Sequence, residues 1–162
     1  MKKLILVLFI GICSIHFSIA KDKNITFPIF SLLKMDSTSY LTNIDLSNGK
    51  NTVFINFSPT CDHCERTIKS ILSNISKFTS TQFILTSFED FTSIRKFYFE
   101  NGIGSFTNVF VVQETDYSLT RQLKYSSFPC LVLFDKEKNY LKTIDEETNA
   151  RALLKALKIK SK

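Results

Sequence analysis

The chain has 162 residues, enough to bury the core of one domain. Twenty-one Lys and Arg against 15 Asp and Glu give a formal charge of +6. The lysines are spread along the chain, which reads as a solvated surface and excludes binding through a basic stripe, so no nucleic-acid partner is expected.

The opening twenty residues read apart from the rest. Lys2 and Lys3 precede an uncharged run, Leu4 to Cys13, and Ser18-Ile19-Ala20 places small residues at the two positions a signal peptidase reads. A charged start, a short apolar run and a small-residue exit predict a secretory signal peptide, residues 1–20, ahead of one domain, residues 21–162. The apolar run is too short to span a bilayer comfortably. Ile12 stands where a lipoprotein would need a small residue before Cys13. Export places the remaining cysteines, Cys61, Cys64 and Cys130, in an oxidising compartment, where a pair can form a disulfide and an odd third thiol invites a question.

Lys21 to Lys50 reads as a loop-rich opening with short strands, closed by the turn signal Ser47-Asn48-Gly49. Asn51 to Phe57 is β-branched and aromatic, the pattern of a strand buried on both faces. From Cys61 the period changes: Cys64, Ile68, Ile71, Leu72, Ile75 and Phe78 recur at helical spacing. Thr81 to Phe88 predicts a strand. Glu89 to Asn101 predicts a helix with Phe91, Ile94, Phe97 and Tyr98 on one face, Phe99 off it, and Gly102 and Gly104 at its end. Asn108 to Glu114 reads as a strand and Tyr117 to Tyr125 as a short helix. Cys130 to Asp135 and Tyr140 to Asp145 form a strand pair around the turn at residues 136–139, and Glu146 to Ile159 predicts a closing helix. The basic end after it reads as a frayed helix terminus, cations near the negative end of the dipole. There is no internal repeat and no long linker. Alternating strands and helices followed by a hairpin and a helix predict one α/β domain, a central mixed β-sheet flanked by helices.

The chemistry concentrates in Cys61-Asp62-His63-Cys64. A zinc site needs about four ligands, and beyond the pair the domain offers only Cys130 and His63, so neither a metal nor another cofactor is expected. A purely structural bridge across two residues would close a very small loop and stabilise little. The redox reading uses the position. Cys61 sits where the helix starts, and unpaired backbone N–H groups there favour an anion, here the thiolate that attacks disulfides. Cys64 lies within the first turn, placed to resolve a mixed disulfide. A protonated His63 would stabilise the thiolate, whereas Asp62 and Glu65 would oppose it.

"TVFINFSPTCDHCE" followed by an amphipathic helix resembles the thioredoxin superfamily, and the stretch from Phe27 to Phe57 is similar to the opening of exported TlpA/ResA-type thioredoxins and related AhpC/TSA redoxins. Downstream, "YSSFPCLVLFDKEKNYLKTI" resembles the hairpin those families place beside the active site. The resemblance covers roughly residues 27–157. It implies a thioredoxin-like fold, Cys61 as nucleophile and Cys64 as resolving thiol. It also implies a cis peptide between Phe128 and Pro129 whose exposed backbone pairs with a partner's extended segment. Implied partners are protein thiols and disulfides of exported proteins and a membrane or periplasmic redox donor or acceptor. The implied place is the bacterial periplasm or cell envelope. The departures are the lack of any Trp, Thr60 before Cys61, Asp62-His63 between the cysteines, and Ile55 where thioredoxins carry a buried acid, which leaves only Glu65, by proximity, as proton acceptor for Cys64. His63 points towards an oxidant and the TlpA/ResA resemblance towards a reductant. Cys130 reads as a buried core residue, with a third redox thiol as its alternative. Phe99 reads as surface, either casual or part of a partner face. The rival functions are a peroxiredoxin-like peroxidase, for which Arg66, Arg95, Arg121 and Arg151 offer no convincing partner, and a redox-idle binding module.

Overall fold

The computed structural model describes residues 25–158. The expected signal peptide, and the end of the closing helix from Ile159, lie outside the described residues. In chain order the elements are β1 (Ser31–Lys34), β2 (Tyr40–Thr42), β3 (Asn51–Asn56), α1 (Asp62–Leu72), β4 (Thr81–Ser87), α2 (Phe91–Glu100), β5 (Val109–Gln113), α3 (Ser118–Leu123), β6 (Cys130–Phe134), β7 (Tyr140–Ile144) and α4 (Ala150–Ala156).

The strands form one sheet in the order β2-β1-β5-β4-β3-β6-β7. β3, β4 and β5 run parallel; β1 and β6 flank them antiparallel, with β2 and β7 at the edges. β3 and β4 are central, and their burial explains their continuous apolar and β-branched runs: all of β4 and all of β3 after Asn51 are buried.

The two-residue period of the strands sorts the core into two layers. Val53, Ile55, Phe83, Leu85, Leu131 and Leu133 face one side, beneath Ile68 and Ile71 of α1, Ile94 and Phe97 of α2 and Leu153 of α4. Phe54, Ile84, Val132 and Phe134 face the other, against Leu32, Leu41, Phe30 and the α3 residues Leu119 and Leu123. Phe54 anchors this second layer, its ring edge-on to Phe30 at 5.6 Å and to Phe134 at 5.9 Å. Each such buried side chain contributes about 1.5–3 kcal/mol by removal from water.

Two predicted helices are shorter than their apolar periods. α1 stops at Leu72, because Ser73 caps it and the Asn74 side-chain amide donates to the Ser70 carbonyl, drawing the chain out of register. Ile75 and Phe78 still face the core from a single 3₁₀ turn. The closing helix begins at Ala150 rather than at Glu146. Asn149 is its cap, accepting from the Ala152 N–H at 3.1 Å. The N–H groups of Thr148 and Ala150 donate instead to Thr67 Oγ1 and Ser70 Oγ of α1, both at 3.1 Å. Two hydroxyls of α1 thus hold the approach to α4 in an extended path.

Candidate active site

α1 opens where β3 delivers the chain to one end of the sheet, and Cys61 is the cap of that helix. The Cys64 N–H donates to Cys61 Sγ at 3.4 Å. A helix N-terminus with a backbone donor aimed at the sulfur favours negative charge there. The same sulfur, when protonated, donates to the Phe128 carbonyl at 3.7 Å. Cys61 is half-buried and Cys64 is fully buried, packed with Phe57 and Ile68. Burial pushes the Cys64 thiol up to about 12, helped by its hydrogen bond with Cys61 and opposed by a backbone hydrogen bond with Ser58. One sulfur is therefore open to a partner, and the second is held protonated behind it.

Pro129 is buried and the Phe128–Pro129 peptide bond is cis. Ser127 fixes this turn, its hydroxyl within 3.1 Å of the Pro129 carbonyl and 2.8 Å of the Asp145 carbonyl. Phe128 stays 37% exposed, with its carbonyl oxygen beside Cys61. The Phe128 carbonyl thus meets Cys61 across 67 residues of sequence.

Asp62 and His63 are exposed in the first turn of α1. His63 Nδ1 lies 2.5 Å from Glu147 Oε2 and 2.8 Å from Arg66 Nη2. With a proton on Nδ1 the ring donates to the carboxylate; without it the ring accepts from the guanidinium. Arg66 grips the same carboxylate through Nε and Nη2, at 2.8 and 2.7 Å. These bonds, Arg66 first and His63 second, hold the Glu147 carboxyl down at about 2. Glu147 thus faces both His63 and Arg66. Glu65, proposed from proximity as proton acceptor for Cys64, is instead paired with Lys69 at 2.6 Å on the exposed side of α1. Ile55, in the register of the missing acid, is fully buried in the layer that holds Cys64.

Cys130 is fully buried, and the register sets its direction. It pairs with Asn56 of β3, whose neighbour on the other side is Thr86. Asn56 alternates with Ile55, so Cys130, Asn56 and Thr86 share the sheet face opposite Cys64. The register thus places Cys130 across the single sheet from Cys64, against the alternative of a third redox thiol beside the pair. Asn56 Nδ2 donates to the Ser127 carbonyl at 3.4 Å, so this opposite face also supports the proline turn.

Sequence reasoning missed three contributors. Glu147 was read as helical and is 84 residues from His63, with no local signal linking them. Phe88 and Tyr117 come from separate loops to stand with Phe128; the Phe88 centroid is 5.5 Å from Phe128 and 5.1 Å from Tyr117. Among the described residues there is no cluster of three or more His, Cys, Asp or Glu placed to hold a metal ion.

No protein-family model matches the chain. No curated protein sequence matches it either. Solved structures do. A thioredoxin-like protein from Aeropyrum pernix is 18% identical, covering 80% of this chain and 87% of its own, with a TM-score of 0.60. A secreted disulfide oxidoreductase from Mycobacterium tuberculosis, homologous to E. coli DsbE, is 14% identical over 79% and 93%, with a TM-score of 0.65. StoA from Bacillus subtilis is 12% identical over 81% and 97%, with a TM-score of 0.64. The chain therefore has the thioredoxin-like fold, with a Cys-x-x-Cys pair at the start of its first helix.

Proposed function

We propose that this chain is an exported thiol-disulfide oxidoreductase that reduces disulfides of exported proteins through Cys61 and Cys64. The observation that carries the reading is the asymmetry of the pair. Cys61 caps α1 with an N–H aimed at its sulfur, while Cys64 is buried and protonated one turn behind.

The cycle follows from that asymmetry. The Cys61 thiolate attacks one sulfur of a partner disulfide. A Cys61–partner disulfide forms, and the partner's other sulfur leaves as a thiolate that takes up a proton. Cys64 then gives up its proton to solvent and attacks Cys61 Sγ. The Cys61–Cys64 disulfide closes and the partner leaves as a dithiol, two electrons richer. A membrane or periplasmic donor returns those two electrons. Desolvation at Cys64 keeps the second step from running ahead of the first.

The direction rests on two supports. The resemblance to TlpA/ResA-type proteins favours a reductant, and His63, the feature that favoured an oxidant, is turned onto the Glu147 carboxylate. The neighbour described as secreted agrees with export to the periplasm or cell envelope. Phe128 and Pro129 present the turn against which a partner's extended segment would pair.

Replacing Cys61 with Ser should abolish reduction of a protein disulfide, and replacing Cys64 should trap mixed disulfides visible on a non-reducing gel. Retained exchange by the Cys61→Ser protein overturns the assignment. A reduction potential near about −270 mV supports the reductant and one near about −120 mV reverses the direction.

A further inference from the structure

We propose that Phe88, Tyr117 and Phe128 form an aromatic docking ledge that selects polypeptide disulfides carrying a large apolar or aromatic side chain beside the cysteine. The proposal deepens the oxidoreductase reading and names the substrate class of that site.

The three rings come from three loops at one end of the sheet: Phe88 follows β4, Tyr117 precedes α3 and Phe128 precedes the cis proline. They touch in a row, Phe128 to Phe88 to Tyr117, at 5.5 and 5.1 Å. Tyr117 remains 49% exposed and Phe128 37%, with Phe88 half-buried between them. Any partner sulfur bonded to Cys61 Sγ sits beside Phe128, because the Phe128 carbonyl is 3.7 Å from that sulfur. At about 3.3 Å per residue, the two steps of the ledge match at most three residues of an extended partner leading away from its cysteine.

The backbone at Tyr117 strengthens the case. Its φ is +56°, a left-handed conformation that suits Gly or Asn and that aromatic residues seldom adopt. The loop around it is pinned: the Ser118 N–H donates to Asp116 Oδ1 and the Arg121 N–H to the Tyr117 carbonyl, both at 3.1 Å. An aromatic ring thus occupies a position its backbone disfavours and is held half in water. An unfavourable residue at an exposed, fixed position points to use of its side chain. Phe99, the other strongly exposed Phe, differs: the Arg95 guanidinium lies over its ring at 5.5 Å.

Asp90 follows close behind Phe88 and Asp116 precedes Tyr117; hydrogen bonds from Ser93 and Ser118 hold both carboxyls below their ordinary range, and the Arg121 guanidinium stands against Asp116. Glutathione disulfide offers this surface no large apolar side chain. A peptide with Phe beside its cysteine offers a ring to the ledge.

The test compares two peptide disulfides that differ only in Phe or Ser beside the cysteine, using the whole protein. The wild type should show kcat/KM at least about tenfold higher for the Phe peptide, expressed mainly in KM. That ratio should collapse towards one in Tyr117→Asn, which relieves the backbone and so should fold, and should persist in Phe99→Asn. A wild type without preference, or a Tyr117→Asn protein that keeps it, overturns the ledge. The Phe peptide with its cysteine replaced by Ser is also titrated by calorimetry. If neither disulfide is reduced yet this peptide binds wild type and not Tyr117→Asn, the ledge stands and the oxidoreductase reading falls. If it binds both alike, the ledge falls.

Discussion

At the level where β3 ends, the two faces of the sheet carry the same residue type in opposite circumstances. On one face Cys61 caps a helix, half-open to solvent, with Cys64 behind it. On the other, Cys130 lies in the row with Asn56 and Thr86, covered by the layer containing Tyr125 and Leu123. Cys64 and Cys130 are equally inaccessible, each with no exposed surface. What separates them is a partner: Cys64 has a second sulfur, that of half-buried Cys61, in front of it. In the proposed cycle burial alone therefore does not make a thiol inert, and the parity of one strand decides which thiol joins the chemistry.

The sharpest way to break that contrast is alkylation of the reduced native protein at neutral pH. With burial pushing its thiol up to about 12, Cys64 is held protonated at pH 7. Iodoacetamide followed by peptide mass mapping should label Cys61 alone and leave Cys64 and Cys130 free of label until the protein is denatured. Labelling of Cys130 ahead of Cys61 would invert the assignment of faces.

The next effect tests the second layer. Phe54→Ala removes the ring around which Phe27, Phe30 and Phe134 are arranged and should cost about 3–5 kcal/mol in denaturant unfolding. Cys130→Ala, in the same layer, should cost only about 1 kcal/mol, the scale of one small buried group, and leave disulfide exchange intact. Loss of exchange in Cys130→Ala would tie the two faces together.

Alkaline pH separates the faces by titration. The folded state raises the Cys64 thiol from 9.0 to about 12, so it binds that proton more tightly than the unfolded chain does. The resulting stability is fully present below about pH 9 and is lost as pH rises towards 12. The melting temperature of the reduced protein should fall through that window, and Cys64→Ala should remove this part of the fall.

How much of this was readable beforehand follows from the range over which each feature is set. The strands of β3, β4 and β6 were legible because full burial leaves continuous apolar runs, and Cys61 and Cys64 because their spacing straddles a strand-to-helix change. The direction of Cys130 was not, since it depends on the register Asn56 to Cys130, a pairing across 74 residues that no local pattern encodes. The onset of α4 was misplaced because Thr67 and Ser70 of another helix accept from the N–H groups of Thr148 and Ala150, the second of which a helix from Glu146 would have paired with the Glu146 carbonyl. The same tertiary capture explains Glu147: its two acidic neighbours in sequence, Asp145 and Glu146, look equivalent to it, and only the packing of α4 on α1 brings it to His63. The aromatic grouping of Phe88, Tyr117 and Phe128 was hidden for a related reason, as three loops supply one ring each.

Glu147 gives the smallest effect and the most specific one. Its carboxylate answers the charge of both Arg66 and His63 next to the cysteine pair. In Glu147→Gln that negative charge is gone, and an imidazolium at His63 is free to favour the Cys61 thiolate. Stabilising the thiolate stabilises the reduced form, so the reduction potential should rise by about 10–30 mV, where a tenfold change in the equilibrium is close to 30 mV. The clamp has its own pH signature. The folded state lowers the carboxyl from 4.5 to about 2, so its stabilisation is present above about pH 4.5 and is lost as pH falls towards 2. In the folded protein the carboxylate keeps its charge until pH nears 2, so the potential of the wild type should stay offset from that of Glu147→Gln across the mildly acidic range and approach it only there. An unchanged or lower potential in Glu147→Gln would show that the clamp serves to join α1 to the approach of α4 and leaves the sulfur chemistry alone.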